Sequence, residues 1–534
     1  MEAEIIPKPT LKNGDFAGVQ LIKILYIPLD ERPCNFYYPQ MIACLKDDLE
    51  LVVPPIELLG NKKQPADINQ LWDWLKAQSG TCHSAILSIE MLVYGGLLPS
   101  RLHQDSVEKL TENLHQIRLL KENNPQLLIL ASNLIMRTPA YNSGEEEPSY
   151  YEEFGEAIFH WGWFQDKQAR EGLTPQEQEK FAQIKQELPP AYLADYCTRR
   201  ERNREINQKV INLVEEGVIS FLSIPQDDCA KYGFTAIDQQ KIVLKIIERR
   251  LQPQIHLYPG ADEVGCTLLA RAYSQLKGLR RKIYLLYNSV NSEGIVPLYE
   301  DRPLGESLKS HILAAGAQVV LSPQAADFVL AVNTPGKKMQ EAWDNPIKDL
   351  TYTTDRNLRF FVDQIETFLA DRKPVAVADV AFANGGETEL VQLLDDFALW
   401  DQLLAYAAWN TSCNTIGTVL ATSIVGVDTR DRQALTYNKI YHLLDGWAYQ
   451  TVVRMDMVKD YLPTIGASYY DFNGKEAQIN QEMERRMGIA WEQLLRQSFC
   501  KWKLEIKVFS PWHRMFEIGL HLAIFSDRRG CFLP

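Results

Sequence analysis

The sequence predicts an α/β fold, with mainly parallel strands in two units, a helical insertion and a mainly helical C-terminal region. Three observations carry this prediction. Short β-rich runs alternate with longer amphipathic stretches, and turns that contain Gly, Pro or Asp separate them. Most of the short runs are apolar almost throughout, as expected of parallel strands that are buried on both faces. Strand–helix alternation of this kind is typical of α/β architecture.

Ten segments are predicted to be strands. In chain order they are Lys23–Leu29, Leu49–Pro54, Ser84–Glu90, Leu127–Ile135, Val218–Ile224, Gln254–Tyr258, Lys282–Tyr287, Ala317–Leu321, Phe328–Val332 and Val375–Asp379. Helical periodicity lies between them, for example over Asp67–Gln78, Ser106–Asn123 and Ala236–Arg250. Because ten strands are too many for one small sheet, we expect either two sheets or a barrel followed by a sheet.

The alternation of strands and helices is interrupted over residues 150–216, which we predict to be a helical insertion. Its segment Thr174-Pro175-Gln176-Glu177 has a capping Thr, a Pro at the first helical position and a Glu two residues further on, all features of a helix start. Residues 402–427 are predicted to form a buried strand, a turn and a helix. We expect an N-terminal α/β unit over 1–275, a second over 276–430 and a mainly helical region over 431–534, in which 503–509 can add a strand.

Composition excludes several classes of protein. The 534 residues carry 56 Lys and Arg against 69 Asp and Glu, a formal charge of −13, so nucleic acid is not an expected partner. Gly and Pro are scattered without a period, which excludes collagen-like and low-complexity chains. The first twenty residues have neither a basic nor an apolar signal-peptide region, and no membrane span is expected. Nine cysteines without a C-x-x-C pair favour reduced thiols, and hence a cytoplasmic protein; oligomeric state is left open.

Polar residues follow the predicted strands one after another. In a parallel α/β fold the carboxyl ends of the strands share one edge, and the loops that follow them build the site. Asp, Asn and Gly are also the common residues of loops and helix caps, so any single instance has an ordinary explanation. The candidates for substrate binding are Asp30, Arg32, Arg101, Arg137, Glu263, Asn384, Trp409 and Asn410.

Asp227 and Asp228 are the leading catalytic candidates. Adjacent residues of a regular strand face opposite sides, so both can reach one site only if the strand has already turned, and Pro225 favours such a turn. Two carboxylates in one pocket acquire different pKa values, which gives one proton donor and one charge stabiliser. The alternative is that Asp228 caps the next helix while Asp227 pairs with an arginine.

Asp262 is the third catalytic candidate, and with Glu263 it precedes a helical stretch whose first turn both acids can also simply cap. Asp30, Asp227, Asp262 and Asp379 can alternatively hold a hard divalent cation such as Mg²⁺, although no metal ligand is assigned. The nine histidines include no H-x-x-x-H pair, which argues against zinc.

The remaining candidates recognise substrate in this interpretation. Arg101 and Arg137 can clamp a carboxylate or phosphate, or else form ordinary ion pairs. Trp409 can stack on a sugar ring, or else pack in the core. The turn beginning at Asn384 contains two glycines, which let the backbone approach a ligand.

A set of motifs resembles a bacterial family of proteins of unknown function. In order, the motifs are Pro28-Leu29-Asp30-Glu31-Arg32-Pro33, Gly95-Gly96-Leu97-Leu98-Pro99-Ser100-Arg101, Met136-Arg137-Thr138-Pro139, Gln226-Asp227-Asp228, Pro259-Gly260-Ala261-Asp262-Glu263, Ala383-Asn384-Gly385-Gly386 and Trp409-Asn410-Thr411. The resemblance runs from about Lys23 through the segment Pro511-Trp512-His513-Arg514, so it covers most of the chain, and it implies no settled activity. The paired aspartates also resemble, faintly, those of hyaluronidase-like barrel β-N-acetylhexosaminidases, in which one Asp orients the substrate acetamido group and the other is the acid/base.

The leading functional prediction is a hydrolase that acts on a polar small molecule, with glycoside cleavage by paired carboxylates the preferred reaction. Two alternatives stay open. One is metal-dependent hydrolysis or transfer with aspartate oxygen ligands, and the other is a non-catalytic small-molecule binding or sensor protein.

Overall fold

The computed structural model describes residues 21–500 and 502–526. All ten predicted strands are present in it, with ends displaced by a few residues. Residues 1–20, on which the prediction about a signal peptide depends, lie outside the described residues, as does Cys531. Within the described ranges, no helix combines the length and hydrophobicity that a membrane crossing requires.

Six parallel strands form the first sheet, in the order β2-β1-β3-β4-β5-β6. They are β1 (Ile22–Ile27), β2 (Leu49–Val52), β3 (Ser84–Ser88), β4 (Leu128–Ser132), β5 (Phe221–Gln226) and β6 (Ile255–Pro259). In the described part of the chain, β2 and β6 are the edges of this sheet and do not pair with each other. The sheet is therefore open, and the barrel alternative is wrong.

The second sheet has five parallel strands, and two small sheets accompany it. The strands are β7 (Lys282–Tyr287), β8 (Gln318–Val319), β9 (Phe328–Asn333), β10 (Gln340–Glu341), β11 (Val375–Asp379), β12 (Phe382–Ala383), β13 (Ala405–Ala407), β14 (Trp502–Phe509) and β15 (Gly519–Ser526). The order of the five is β13-β11-β9-β7-β8, while β10 pairs with β12 and β14 forms an antiparallel hairpin with β15.

Helices occupy the intervals between the strands. They are α1 (Pro33–Ala43), α2 (Ile68–Ser79), α3 (Leu97–Leu102), α4 (Val107–Asn123), α5 (Tyr151–Arg170), α6 (Pro175–Glu187), α7 (Pro190–Glu215), α8 (Phe234–Glu248), α9 (Val264–Lys277), α10 (Leu304–Ala314), α11 (Thr351–Thr354), α12 (Leu358–Ala370), α13 (Thr388–Asp396), α14 (Ser412–Gly426), α15 (Arg432–Leu443), α16 (Arg454–Asp456) and α17 (Glu476–Leu494). A π-helical segment, Leu444–Val453, connects α15 to α16.

The interruption predicted over residues 150–216 is the three-helix segment α5–α7. At the start of α6, the Thr174 hydroxyl accepts from the Glu177 amide while the Glu177 carboxylate accepts from the Thr174 amide, as a capping box requires. The buried strand and helix predicted over 402–427 are β13 and α14. The C-terminal region is helical as predicted, but it ends in the β14–β15 hairpin, of which only the first strand was expected.

One hydrophobic core joins the two large sheets. It contains buried residues of β1 and β4 together with those of β9 and β11, and helix α9 packs against both α1 and α14 within it. Every residue of β3, β5, β9 and β11 is buried, which explains why their sequences lack the alternation of a half-exposed strand. This shared core fixes the loops of the two sheets relative to each other.

Candidate active site

A cavity of about 220 Å³ lies where loops that follow strands of both sheets meet. The loops after β5 and β6 contribute Asp228 and Asp262, and those after β12 and β13 contribute Asn384 and Asn410. The C-terminal region supplies further lining side chains. The complete lining is Arg32, Leu97, Arg101, Arg137, Tyr141, Ser143, Glu145, Glu146, Gln226, Asp227, Asp228, Gly260, Ala261, Asp262, Tyr299, Glu300, Trp343, Asn384, Asn410, Thr411, Asn414, Arg454, Tyr469, Tyr470, Arg514 and Phe516.

The structure brings most of the predicted site residues together. The predicted residues that line the cavity are Arg32, Arg101, Arg137, Asp227, Asp228, Asp262, Asn384 and Asn410. The predicted residues Asp30, Glu263 and Trp409 do not line it. Eight side chains from separate parts of the sequence, predicted because they follow strands, therefore surround one cavity.

Asp227 and Asp228 both face the cavity because the chain turns directly after β5. Asp228 has φ 30°, a positive value that a non-glycine residue rarely adopts. Each carboxylate pairs with a different arginine: Asp227 Oδ2 accepts from Arg101 Nη2, and Asp228 Oδ2 accepts from Arg137 Nη1 at 3.0 Å. The predicted ion pair of Asp227 is thus present, yet both side chains also reach one site.

The environment of Asp228 perturbs the ionisation of its carboxyl group. Burial raises the pKa of its carboxyl group to about 6, with Arg137 opposing the increase and the Asp227 charge adding to it. Its hydrogen bond uses Oδ2, and among the described residues no protein group bonds to Oδ1. About 26% of the side chain is exposed, so the free oxygen is accessible from the cavity.

Three arginines surround the Glu146 carboxylate. Arg101 Nη1 and Arg137 Nη2 donate to Glu146 Oε2 at 2.9 and 2.7 Å, and Arg514 Nη1 donates to Oε1. Although burial alone would raise the pKa of Glu146, Arg137, Arg514 and Arg101 hold it well below its usual range. This cluster fixes the two arginines that orient Asp227 and Asp228.

Arg32 and Asp262 form a second buried cluster. Arg32 donates to Asp262 Oδ1 at 2.5 Å and to Asp30 Oδ2 at 2.6 Å, so that Asp30 lies behind the arginine and not on the cavity wall. Asn35 and Asn410 also donate to Asp262, at 3.2 and 3.1 Å. Because these donors occupy both of its oxygens, Asp262 is suited to positioning Arg32 and Asn410.

Backbone strain is concentrated at the cavity. Four of its non-glycine lining residues have positive φ: Asp228 at 30°, Tyr299 at 69°, Asn384 at 58° and Asn410 at 52°. Such conformations are unfavourable for residues other than glycine and persist where the surrounding structure enforces them, which is frequent at functional sites.

The family described as "Protein of unknown function (DUF4127)" matches residues 24–521. The chain belongs to this family. The match confirms the resemblance inferred from the motifs, and the matched range contains every residue that lines the cavity. No curated protein matches the chain.

Trp409 of this DUF4127 member packs in the core beside the cavity. Its ring lies edge-on to Tyr38, with 5.3 Å between centroids, and its indole N–H donates to Thr418 at 3.2 Å. With 7% exposure, it does not offer a face for stacking on a sugar in the cavity. The structure therefore shows the alternative in which Trp409 packs in the core.

The four aspartates proposed as metal ligands do not form one set. Asp379 Oδ1 accepts from Asn333 at 2.8 Å and its Oδ2 from Tyr406 at 3.2 Å, in a buried network beneath the second sheet's edge. Within residues 21–500 and 502–526, no group of three His, Cys, Asp or Glu side chains has an arrangement that could hold a metal ion. Among the described residues, the aspartates proposed as ligands therefore do not support metal-dependent hydrolysis or transfer.

Several cavity residues were not among the predicted ones. They are Tyr141, Ser143, Glu145, Glu146, Tyr299, Glu300, Trp343, Arg454, Tyr469, Tyr470, Arg514 and Phe516. Most come from the far part of the loop after β4, well beyond the end of the strand, or from the C-terminal region, where strands and helices do not alternate. Arg514 had one available signal, because it ends the motif Pro511-Trp512-His513-Arg514 near the end of the resemblance.

Glu263 lies fully buried below the cavity, and among residues 21–500 and 502–526 neither of its oxygens has a hydrogen-bond partner. Burial raises the pKa of its carboxyl group well above the usual value, and it lowers the pKa of His311 to about 4. His311 Nε2 lies 3.2 Å from the Pro259 carbonyl oxygen, which can only accept, so Nδ1 is the unprotonated nitrogen. That atom lies 3.7 Å from Glu263 Oε1, and burial favours the uncharged form of both groups.

Glu263→Gln is accordingly expected to retain the wild-type fold, with a free energy of unfolding at pH 4 within about 1 kcal/mol of the wild-type value. Glu263→Ala is expected to cost about 2–4 kcal/mol because it opens a cavity in the core. The raised pKa means that the folded state binds the proton more tightly than the unfolded state does. Wild-type stability relative to Glu263→Gln should therefore be greatest below pH about 4.5 and fall as pH rises toward the raised value. Urea titrations at pH 4 and pH 8 measure this, and a constant difference would contradict it.

Proposed function

We propose that the protein is a hydrolase that cleaves a glycoside or a closely similar polar small molecule by means of Asp227 and Asp228. The observation that carries the proposal is the pair itself. Two adjacent carboxylates face one cavity and pair with different arginines, and burial raises the pKa of Asp228 to about 6. Carboxyl groups in different environments divide the acid and stabiliser roles of glycoside cleavage.

In the proposed reaction, protonated Asp228 donates its proton to the oxygen of the leaving group. The bond between that oxygen and the anomeric carbon breaks, and its electron pair goes to the oxygen. The negative charge of Asp227 stabilises the positive charge that develops on the sugar ring. A water oxygen then bonds to the anomeric carbon, and its proton returns to Asp228.

Aromatic and amide groups of the cavity support a sugar as the ligand. Tyr141, Tyr299 and Tyr470 are each more than 40% exposed, so their rings offer apolar surface next to polar groups. Asn384 and Asn410 present amides near them, each held in a strained conformation. A sugar presents both C–H faces and hydroxyl groups, so it matches a site that combines flat apolar surface with hydrogen-bonding groups.

The proposal is tested with purified protein and a panel of 4-methylumbelliferyl glycosides that includes neutral, N-acetylated and acidic sugars. Release of the fluorophore, with the free sugar identified by mass spectrometry, is the expected result for at least one member. Binding without turnover, seen as a raised melting temperature and unchanged ligand, would instead support the non-catalytic binding protein. The extensive arginine pairing of the cavity carboxylates is the observation that favours this second candidate.

The pH dependence of the reaction follows from the acid role of Asp228. Since only the protonated form donates, kcat/KM should fall about tenfold per pH unit above pH about 6. The charge of Arg137 opposes the raised pKa, so Arg137→Gln should move this decline to higher pH, while Arg137→Lys should keep it near the wild-type position. A decline that stays in place in Arg137→Gln would contradict the assignment.

A further inference from the structure

Arg454 is a buried arginine in the cavity wall. It is 1% exposed, begins α16 directly after the π-helical segment, and lines the same cavity as the paired aspartates. Its Nε and Nη2 atoms are buried and have no hydrogen-bond partner in the part of the chain that the structure describes. Its guanidinium lies 5.3 Å from the ring centroid of Trp343 and 5.8 Å from that of Phe516.

The other lining arginines are all neutralised. Arg32, Arg101, Arg137 and Arg514 each donate to at least two carboxylates. Among the residues that the structure describes, Arg454 pairs with no carboxylate. Aromatic rings hold its guanidinium in place but satisfy none of its N–H groups.

Glu341 and Asp445 are nearby carboxylates that the positive charge of Arg454 affects, yet neither pairs with the arginine among the described residues. Burial raises the pKa of Glu341, and Arg454 is one of the groups that oppose the increase. The two Glu341 oxygens instead accept from the Tyr299 hydroxyl and from Asn384 Nδ2. The described residues therefore give the guanidinium of Arg454, which lines the cavity, no carboxylate acceptor.

A buried guanidinium without a partner is unfavourable, because its N–H groups have lost water and gained no acceptor. We propose that Arg454 binds an oxyanion of the ligand, a carboxylate or a phosphate, while the rest of the ligand lies over the paired aspartates. The planar N–H fork of arginine matches both anions. The cleavage of such a ligand rests on the proposed function, whereas its binding does not.

Calorimetric titration of the intact protein with inorganic phosphate, D-glucuronate and D-glucose tests the inference. At least one of the two anions is expected to bind, and to bind more tightly than glucose; which one does distinguishes phosphate from carboxylate recognition. Arg454→Met is expected to weaken that binding at least about tenfold. The matched control is Arg271→Met, since Arg271 also stacks on an aromatic ring and has an unpartnered buried Nε, but lies outside the cavity lining. Anion affinity equal to that for glucose, or unchanged in Arg454→Met, would overturn the inference.

The melting temperature without ligand gives an independent readout. Because Arg454→Met removes an unpaired buried charge, it should melt at or above the wild-type temperature, and a large decrease would show a structural role instead. Should Arg454→Met not fold, Arg454→Lys serves, with weaker anion binding expected because the fork is lost. Hydrolysis of neutral glycosides with no anion binding would leave the proposed function standing and the inference rejected. Arg454-dependent anion binding without any hydrolysis would support the inference and reject the proposed function.

Discussion

Asp228→Asn is expected to lower kcat/KM about 10²–10⁴-fold on a glycoside with a poor leaving group, because its amide cannot donate the proton that the departing oxygen needs. The melting temperature should remain within a few degrees of the wild-type value. The Asp228 side chain is partly exposed, and its raised pKa shows that burial already disfavours the charge that the substitution removes.

The dependence on the leaving group separates an acid from a merely structural residue. An activated aryl leaving group needs little protonation, so Asp228→Asn should lose much less activity on a nitrophenyl glycoside than on an alkyl glycoside. Asp227→Asn should lose activity on both, since charge stabilisation at the sugar ring is required whichever group departs. Equal losses for both substrates in Asp228→Asn would reject the proton-donor role.

Asp195→Asn is the matched control for these measurements. Asp195 also pairs with an arginine, Arg199 at 2.8 Å, and its side chain is 31% exposed, close to the 26% of Asp228. It lies outside the cavity lining, so its substitution should leave both kcat and KM unchanged. Full activity of Asp228→Asn on the alkyl glycoside would remove the basis of the proposed function.

The convergence of Asp227 and Asp262 was predictable because neighbouring parallel strands of one sheet end at a common edge. These residues follow β5 and β6, and a chain pattern of strand, turn and helix is enough to place them there. Asn384 follows β12, which pairs with β10 in a separate small sheet, so its approach to the two aspartates depends on the packing of the sheets and not on a shared edge. The same rule failed for Asp379, although it ends β11. The side chain at a strand end can point away from the edge, and that of Asp379 bonds to Asn333 and Tyr406 beneath it.

Long-range charge pairing could not be predicted in the same way. Arg454 and Arg514 lie in a region where strands and helices do not alternate, and no local pattern relates either of them to the loop after β5. Glu146 belongs to a run of three glutamates, which in a loop is ordinarily exposed to solvent. Its burial depends on three arginines that come from separate parts of the chain.

Trp409 shows the limit of reading chemistry from residue type. A tryptophan beside two polar site residues suggests a stacking surface, but tryptophan is large and apolar, and burial usually decides its position. The helix α14 places Thr418 where it can accept from the indole, and Tyr38 covers the ring. The exposed aromatic surface comes from tyrosines instead, whose hydroxyl groups tolerate water.

Glu146→Gln is expected to be the most destabilising isosteric substitution at the cavity. It removes the one negative charge on which Arg101, Arg137 and Arg514 converge, and loss of one partner from a buried ion pair costs about 3–5 kcal/mol. We expect the low end, about 3 kcal/mol, because each arginine keeps another carboxylate. Chemical denaturation at pH 7 measures the difference. The matched control is Glu145→Gln, since Glu145 pairs with Lys62 at a more exposed position and its loss should cost about 0–1 kcal/mol.

The sign of the pH dependence distinguishes charge from shape in this variant. The pKa of Glu146 is lower in the folded state than in the unfolded state, so the unfolded state takes up the proton first as pH falls. The stability that the charge contributes is complete above pH about 4.5 and is lost progressively below it. The stability difference between wild type and Glu146→Gln should therefore shrink below pH about 4.5. A difference that persists unchanged at pH 3 would mean that the amide disturbs packing, and that the three arginines do not depend on the Glu146 charge.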